Sequence, residues 1–156
     1  MRKTQKGFSL IELLIVVAII LIIAAIAIPN LLRARISANE ASAVSSMRTM
    51  NTACITYNST YGQYPPAISD LGPVAAGSIP TSTQADLLDQ VLAPASGVPQ
   101  KSGYNFTFTS TGAVYTINGD PVTVNQTGVR HFFTDQSGVI RFNAAATALV
   151  TDSPLQ

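Results

Sequence analysis

The chain has 156 residues, of which 11% are charged, and nine Lys and Arg against eight Asp and Glu give a formal net charge of +1. Three of the nine basic residues lie within the first six positions, so the rest of the chain has an acidic excess. This composition excludes the basic surface of a nucleic-acid-binding protein, and the single cysteine, Cys54, excludes an internal disulfide bond.

The first element is a long apolar segment behind a short basic one. Arg2, Lys3 and Lys6 come first, and residues 8–28 then contain two polar side chains, Ser9 and Glu12. As an α-helix rising about 1.5 Å per residue, this segment is long enough to cross a hydrocarbon core of about 30 Å. We therefore expect a transmembrane helix over residues 8–30, with its N-terminus held in the cytoplasm by the preceding basic residues.

Two simpler interpretations of this segment are available. An ordinary secretory signal peptide would account for Ala25-Ile26-Ala27, which fits a cleavage pattern. The apolar run, however, exceeds the usual length of about 7–15 residues, Glu12 stands near its start, and the helical pattern continues past Pro29. A plain single-span anchor explains the length but gives no role to an ionisable residue inside the span.

The residues at the junction carry a family resemblance. Gly7-Phe8-Ser9-Leu10-Ile11-Glu12, between a basic leader and an apolar run ending in Ile28-Pro29-Asn30, resembles the N-terminus of type IV pilins and of type II secretion pseudopilins. The resemblance covers about the first 60 residues. It implies that a prepilin peptidase removes the leader, residues 1–7, by cutting between Gly7 and Phe8, and that the new amine of Phe8 is methylated. It also implies that an inner-membrane assembly platform moves subunits from the lipid into a helical filament.

The spacing of Phe8 and Glu12 suggests an ion pair that stabilises such a filament. Cutting before Phe8 creates a charged amine one helical turn from Glu12, at the i,i+4 spacing. The two groups could pair within one subunit. We favour a pair between Glu12 and the Phe8 amine of an adjacent subunit, because a buried charge requires a counter-charge and such a pair sets the axial register. Phe8 and Glu12 are thus the predicted assembly residues.

Residues 31–61 continue the helix with an amphipathic pattern. One apolar stripe recurs at helical spacing and predicts core packing: Val44, Met47, Met50, Cys54, Tyr57 and Tyr61. Pro29 removes a backbone donor and is expected to kink or locally melt the helix. We expect the helix to end near Tyr61, with Gly62 as its cap and Pro65-Pro66 beyond it.

The remainder of the chain predicts a connecting region and a sheet. Residues 62–102 are rich in Pro, Gly and Ser, with a short helix expected over residues 81–94 from a capping box at Thr81–Gln84. Residues 103–142 alternate with period two around two turns and predict two antiparallel hairpins, followed by an irregular tail over residues 143–156. The expected fold is α+β, a long N-terminal helix packed on a C-terminal antiparallel sheet, as in pilins.

Catalysis and metal binding have weak support in the sequence. Cys54 and His131 could in principle form a dyad, but both fall at expected core or sheet positions and no orienting carboxylate is indicated by spacing. Asp120 or Asp135 could contribute to a calcium site, as in major pseudopilins, yet aspartates in turns are usually turn residues. We assign no catalytic residue, no metal ligand and no cofactor.

The sequence therefore predicts a non-enzymatic, self-associating subunit of a type IV pilus-like filament. The resemblance places it first as a single-pass protein of the inner membrane, in contact with lipid, and then in a cell-surface pilus. A major pseudopilin of a type II secretion system, in a periplasmic pseudopilus, is the first alternative, and the absence of a cysteine pair leaves both open. A membrane-anchored binding domain that never polymerises is the second.

Overall fold

The structure, a computed structural model, describes residues 8–155. Along the chain it contains helix α1 (Leu10–Tyr61), a 3₁₀ helix (Ile68–Leu71) and six strands, β1 (Gln100–Lys101), β2 (Tyr104–Ser110), β3 (Tyr115–Pro121), β4 (His131–Asp135), β5 (Arg141–Asn143) and β6 (Ser153–Pro154). The chain divides into two compact units, one up to Arg35 and one from Ile36 onward, and α1 contributes residues to both. The predicted leader, residues 1–7, lies outside the described residues.

Helix α1 ends where the sequence predicts. Gly62 follows Tyr61 with a φ of 76°, and its N–H donates to the Asn58 carbonyl at 2.8 Å. Because this left-handed conformation is strained for a side chain with a Cβ atom, glycine terminates the helix here. Pro29 is itself helical, and the predicted kink at that residue stays a prediction.

The six strands form one antiparallel sheet in sequence order. The hairpin of β2 and β3 pairs Phe106 with Gly119 and closes through Ser110, as the alternating pattern predicts. The hairpin of β4 and β5 turns at residues 135–138, where the Gly138 N–H donates to the Asp135 carbonyl at 2.9 Å. Each strand pairs with its neighbour in the chain, so the sheet is built from short connections.

The core lies between the second half of α1 and one face of the sheet. The predicted stripe is buried from Val44 to Tyr57, and Tyr61 is half-buried against it. The sheet covers this stripe with Tyr104, Phe106, Tyr115, Ile117 and Phe132, all fully buried. Burying a side chain of this size contributes about 1.5–3 kcal/mol, so the stripe and the sheet stabilise each other. The α+β fold predicted from the sequence is confirmed.

The short helix predicted over residues 81–94 is wrong. Thr81 and Gln84 instead form a tight turn, each donating its N–H to the carbonyl of the other at 2.9 and 3.2 Å. Asp86 then adopts a φ of 54°, which a right-handed helix excludes. The N–H groups of residues 85–88 donate to carbonyls of residues 70–72, so tertiary hydrogen bonds replace the helical ones. Leu88 and Leu92 are buried all the same.

The tail is more ordered than the sequence predicts. Strand β6 pairs with β5, placing Ser153 opposite Phe142, and the Leu155 N–H donates to the Ile140 carbonyl at 2.7 Å. Ala148 is fully buried, and its carbonyl accepts a hydrogen bond from the Asn118 amide at 3.0 Å. The interpretation of residues 143–156 as irregular is therefore wrong at β6, since an edge strand this short has no periodicity to detect.

We expect a fragment starting at Arg35 to be soluble and monomeric without the preceding apolar helix. The sheet already covers the stripe of α1, so the fragment exposes no continuous apolar face from Val44 to Tyr57. Size-exclusion chromatography with light scattering measures the outcome. Aggregation that a partner protein relieves would show that the stripe packs between subunits rather than within one.

Candidate functional site: the N-terminal segment and Glu40

Helix α1 begins at Leu10, two residues after Phe8, which is the described residue of the predicted cleavage junction. The Ser9 backbone N–H donates to Glu12 Oε2 at 2.9 Å, and the Leu13 N–H donates to the Ser9 carbonyl at 3.3 Å. A carboxylate three residues into a helix that binds back to the N-cap N–H is half of a capping box. The helix macrodipole also favours negative charge at this end. Glu12 therefore has a local partner before any assembly takes place.

Phe8 and Glu12 lie at the same end of the helix. Phe8 is 84% exposed, and in the uncut chain its nitrogen is part of a peptide bond rather than a free amine. Gly7 lies outside the described residues. The cleavage between Gly7 and Phe8, the methylation of Phe8 and the pairing of its amine with Glu12 therefore stay predictions.

The apolar segment has nothing to pack against within its own unit. Every large apolar side chain between Phe8 and Leu32 is at least 44% exposed. By length and composition, α1 is one helix that could cross a membrane, and none of its most apolar window is buried. A soluble protein rarely leaves so continuous an apolar surface in water, so this surface requires lipid or other protein.

A buried carboxylate joins the second half of α1 to the sheet. Glu40 Oε1 accepts the backbone N–H groups of Val129 and Arg130 at 2.9 and 3.1 Å, and Oε2 accepts the Arg130 Nε–H at 2.8 Å. The guanidinium of Arg130 lies over the rings of Phe132 and Phe142, at 5.6 and 5.5 Å from their centroids. We call these contacts of Glu40 with Val129 and Arg130 the Glu40 clamp.

The electrostatics of the Glu40 clamp favour the ionised carboxylate. Burial alone raises the pKa of Glu40, but the hydrogen bonds from Val129 and Arg130 and the nearby guanidinium outweigh burial, and the pKa lies below its ordinary value. Sequence reasoning missed this residue. The available signal was its position four residues before Val44, which places a carboxylate on the apolar stripe.

A second set of buried polar side chains joins α1 to the sheet farther along the helix. The Asn51 amide donates to Thr134 Oγ1 at 2.9 Å, and the Tyr115 hydroxyl donates to Asn51 Oδ1 at 3.1 Å. All three side chains are buried, so each hydrogen bond satisfies a group that would otherwise be costly to bury. Together with the Glu40 clamp, this network sets the register of the helix on the sheet.

The two residues considered for catalysis lie where the sequence predicts, Cys54 in the core and His131 in the sheet. Cys54 is buried in the core, and burial raises the pKa of its thiol to about 12, so the thiolate nucleophile is not formed near neutral pH. His131 Nδ1 lies 2.6 Å from Asp120 Oδ1, a carboxylate partner that the spacing in the sequence did not indicate. Continuing the register of β3 and β4 places residues 120 and 131 opposite each other.

The two aspartates considered for calcium have protein partners. Asp120 contacts His131, and Asp135 Oδ1 accepts the Ser137 N–H at 2.9 Å, as an aspartate in a turn commonly does. Within residues 8–155, no three His, Cys, Asp or Glu side chains are grouped as metal ligands would be.

Comparisons with known proteins agree with this architecture. Residues 2–28 match the family described as the prokaryotic N-terminal methylation motif. The type IV major pilin protein PilA of Myxococcus xanthus is 34% identical over 123 residues, which cover 70% of this chain and 54% of that protein. The type IV wide pilus major component PilA4 of Thermus thermophilus is 66% identical over 38 residues, which cover 24% of this chain and 29% of that protein.

The chain thus spans about half the length of the first relative, and the match to the second is confined to a short segment. From Leu10 onward the match to the methylation motif falls on the exposed apolar part of α1, and the longer match reaches well beyond it. The matches to the methylation motif and to a type IV major pilin, and one N-terminal helix packed on an antiparallel sheet, support a place for the chain in the type IV pilin family.

Proposed function

We propose that the chain is a structural subunit of a type IV pilus-like filament and carries no catalytic activity. The observation that carries the proposal is the exposed apolar surface from Phe8 to Leu32, most of which lies within the match to the methylation motif. Lipid covers this surface in the membrane-inserted subunit, with the N-terminus in the cytoplasm. The same surface of other subunits covers it in the filament.

Processing precedes assembly in this proposal. A prepilin peptidase cuts between Gly7 and Phe8, the Phe8 amine is methylated, and an inner-membrane assembly platform moves the subunit into the filament. Glu12 exchanges the Ser9 N–H of its own helix for the Phe8 amine of an adjacent subunit, or binds both. Either arrangement leaves the buried carboxylate with a partner at each stage.

A pilus on the cell surface is favoured over a periplasmic pseudopilus. Both relatives are named as major components of type IV pili. Imaging cells with and without the gene, and recovering filaments by shearing, tests the proposal. Filaments that contain the chain support it, whereas a chain found only in the membrane fraction supports a binding domain that does not polymerise.

We expect the subunit in sheared filaments to begin at Phe8 and to carry one added methyl group. The junction of basic and apolar segments at Gly7-Phe8 places the peptide bond at the membrane face, and glycine leaves no side chain to obstruct a protease there. Intact-mass measurement decides the outcome. A chain beginning at Ile28 would identify an ordinary signal peptide, and one beginning at Met1 would show that no peptidase acts.

A further inference from the structure

Two arginines line one cavity at the β6 edge of the sheet. The cavity has a volume of about 320 Å³, and its lining includes Arg48 of α1, Arg130 and, directly after β6, Leu155. Among the described residues of the lining, two are positively charged and one, Glu40, is negatively charged. This cavity, which we call the arginine cavity, therefore has an excess of positive charge.

Both arginines keep N–H groups that the protein itself does not use. The Nε–H of Arg130 donates to Glu40, but no described residue accepts from the terminal nitrogens of Arg130 or from the guanidinium of Arg48. Arg48 is exposed and the Arg130 side chain is 38% exposed, so an incoming group can reach both. Guanidinium groups bind carboxylates in planar, charge-assisted pairs, so the arginine cavity fits a second carboxylate.

One carboxylate of the chain is left without a partner in the described residues. The chain has eight Asp and Glu residues, and seven of them accept a hydrogen bond in the structure. The eighth is Asp86, which is exposed. Its backbone is fixed, because its own N–H donates to the Gly72 carbonyl at 2.9 Å and the Leu87 N–H donates to the Leu71 carbonyl at 3.0 Å. Asp86 therefore presents its carboxylate from an ordered part of the connecting segment.

Asp86 and the arginine cavity lie at opposite edges of the sheet. The segment that follows Asp86 lines a groove with Lys101 of β1, whereas the arginine cavity includes Leu155 beside β6, and β1 and β6 are the two edges of the sheet. On α1, Thr49 lines the first groove and Arg48 the arginine cavity, and adjacent helical residues face different directions. The two surfaces are thus complementary in charge but separate within one subunit.

We propose that Asp86 of one copy binds in the arginine cavity of the next copy in the filament, paired with Arg48 and the free nitrogens of Arg130. A contact between two different surfaces of the same chain passes from copy to copy and is not satisfied by a two-fold dimer, which suits a helical filament. The inference rests on the proposed function and adds the residues by which neighbouring heads recognise each other. One exposed ion pair is weak, so it orients subunits that α1 already holds together.

The test exchanges the two charges in cells that express the full chain. Arg48→Glu and Asp86→Lys should each lower the ratio of sheared filament to processed subunit in the membrane at least about tenfold, because like charges then face each other at every contact. The double variant should return to within about threefold of wild type, because the pair forms again with its charges exchanged. Circular dichroism of the fragment starting at Arg35 checks that each variant folds.

Neutral variants keep the test informative if a charge reversal prevents folding. Asp86→Asn, which tolerates the left-handed backbone, and Arg48→Gln should each lower the ratio about two- to fivefold, and their combination should lower it no further. Arg35→Glu is the matched control, since Arg35 is another exposed arginine of α1, and it should not restore filaments to Asp86→Lys.

Three results would overturn the inference while the proposed function stands: a double exchange no better than its single variants, equal restoration by Arg35→Glu, or a loss of stability in the Arg48→Gln fragment, which would place the partner of Arg48 in its own chain. An absence of filaments in wild-type cells would overturn the proposed function and this inference together.

Discussion

Glu12→Gln is expected to abolish or strongly reduce filament assembly while membrane insertion and leader removal continue. Insertion should survive because the change removes a charge from an apolar segment. The start of the helix should survive because the amide oxygen of glutamine can still accept the Ser9 N–H. Assembly should fail because the Phe8 amine would enter the filament without a counter-charge, and an unpaired buried ion costs about 3–5 kcal/mol. That corresponds to a loss of more than about a hundredfold per subunit contact.

The measurement is the ratio of sheared filament to processed subunit in the membrane fraction. Ser9→Ala is the matched control, because Ser9 contributes its backbone N–H and the substitution leaves that group in place. Glu12→Asp, which keeps the charge on a shorter side chain, should retain part of the yield. Normal filament yield in Glu12→Gln would refute the pairing role and leave Glu12 as the helix-capping residue seen in the structure.

Glu40→Gln is expected to destabilise the fragment starting at Arg35 by about 2–3 kcal/mol at pH 7. The amide loses the charged partner of Arg130 and retains one oxygen for two backbone N–H groups. The loss is smaller than for a fully buried pair, because Arg130 is 38% exposed and water can solvate its guanidinium. Urea unfolding followed by circular dichroism measures the free energy of unfolding.

The loss of stability caused by Glu40→Gln should depend on pH. The pKa of Glu40 is lower in the folded state than in the unfolded chain. Its contribution to the free energy of unfolding is therefore complete above the pKa of the unfolded chain, about 4.3, and is lost as the pH falls through the pKa of the folded state. The difference between the wild-type fragment and Glu40→Gln should therefore shrink on acidification below about pH 4.3.

Asp86→Asn is the control for the Glu40 experiment. It removes an exposed carboxylate, and asparagine tolerates the left-handed backbone at this position, so the change should stay within about 0.5 kcal/mol. A Glu40→Gln difference that is equally small at pH 7, or that does not change with pH, would show that the Glu40 clamp contributes no net stability.

Local patterns in the sequence were sufficient for the main elements. The apolar run behind Gly7-Phe8 predicts the first part of α1, and the stripe from Val44 to Tyr61 predicts which face of its second part is buried. Gly62 ends the helix because its own backbone conformation requires glycine. Period-two alternation predicts both hairpins. Each of these features depends on residues within a few positions of one another, so the sequence determines them directly.

The tertiary structure decided the features whose partners are remote in the chain. Glu40 becomes a buried, ionised carboxylate because its donors are Val129 and Arg130, about 90 residues later. Residues 81–94 carry a local helix signal, but the carbonyls of residues 70–72 take their N–H groups instead. His131 meets Asp120 only through the register of two strands. Buried polar groups are satisfied by whichever donors and acceptors the fold brings near, and no local pattern in the sequence records that proximity.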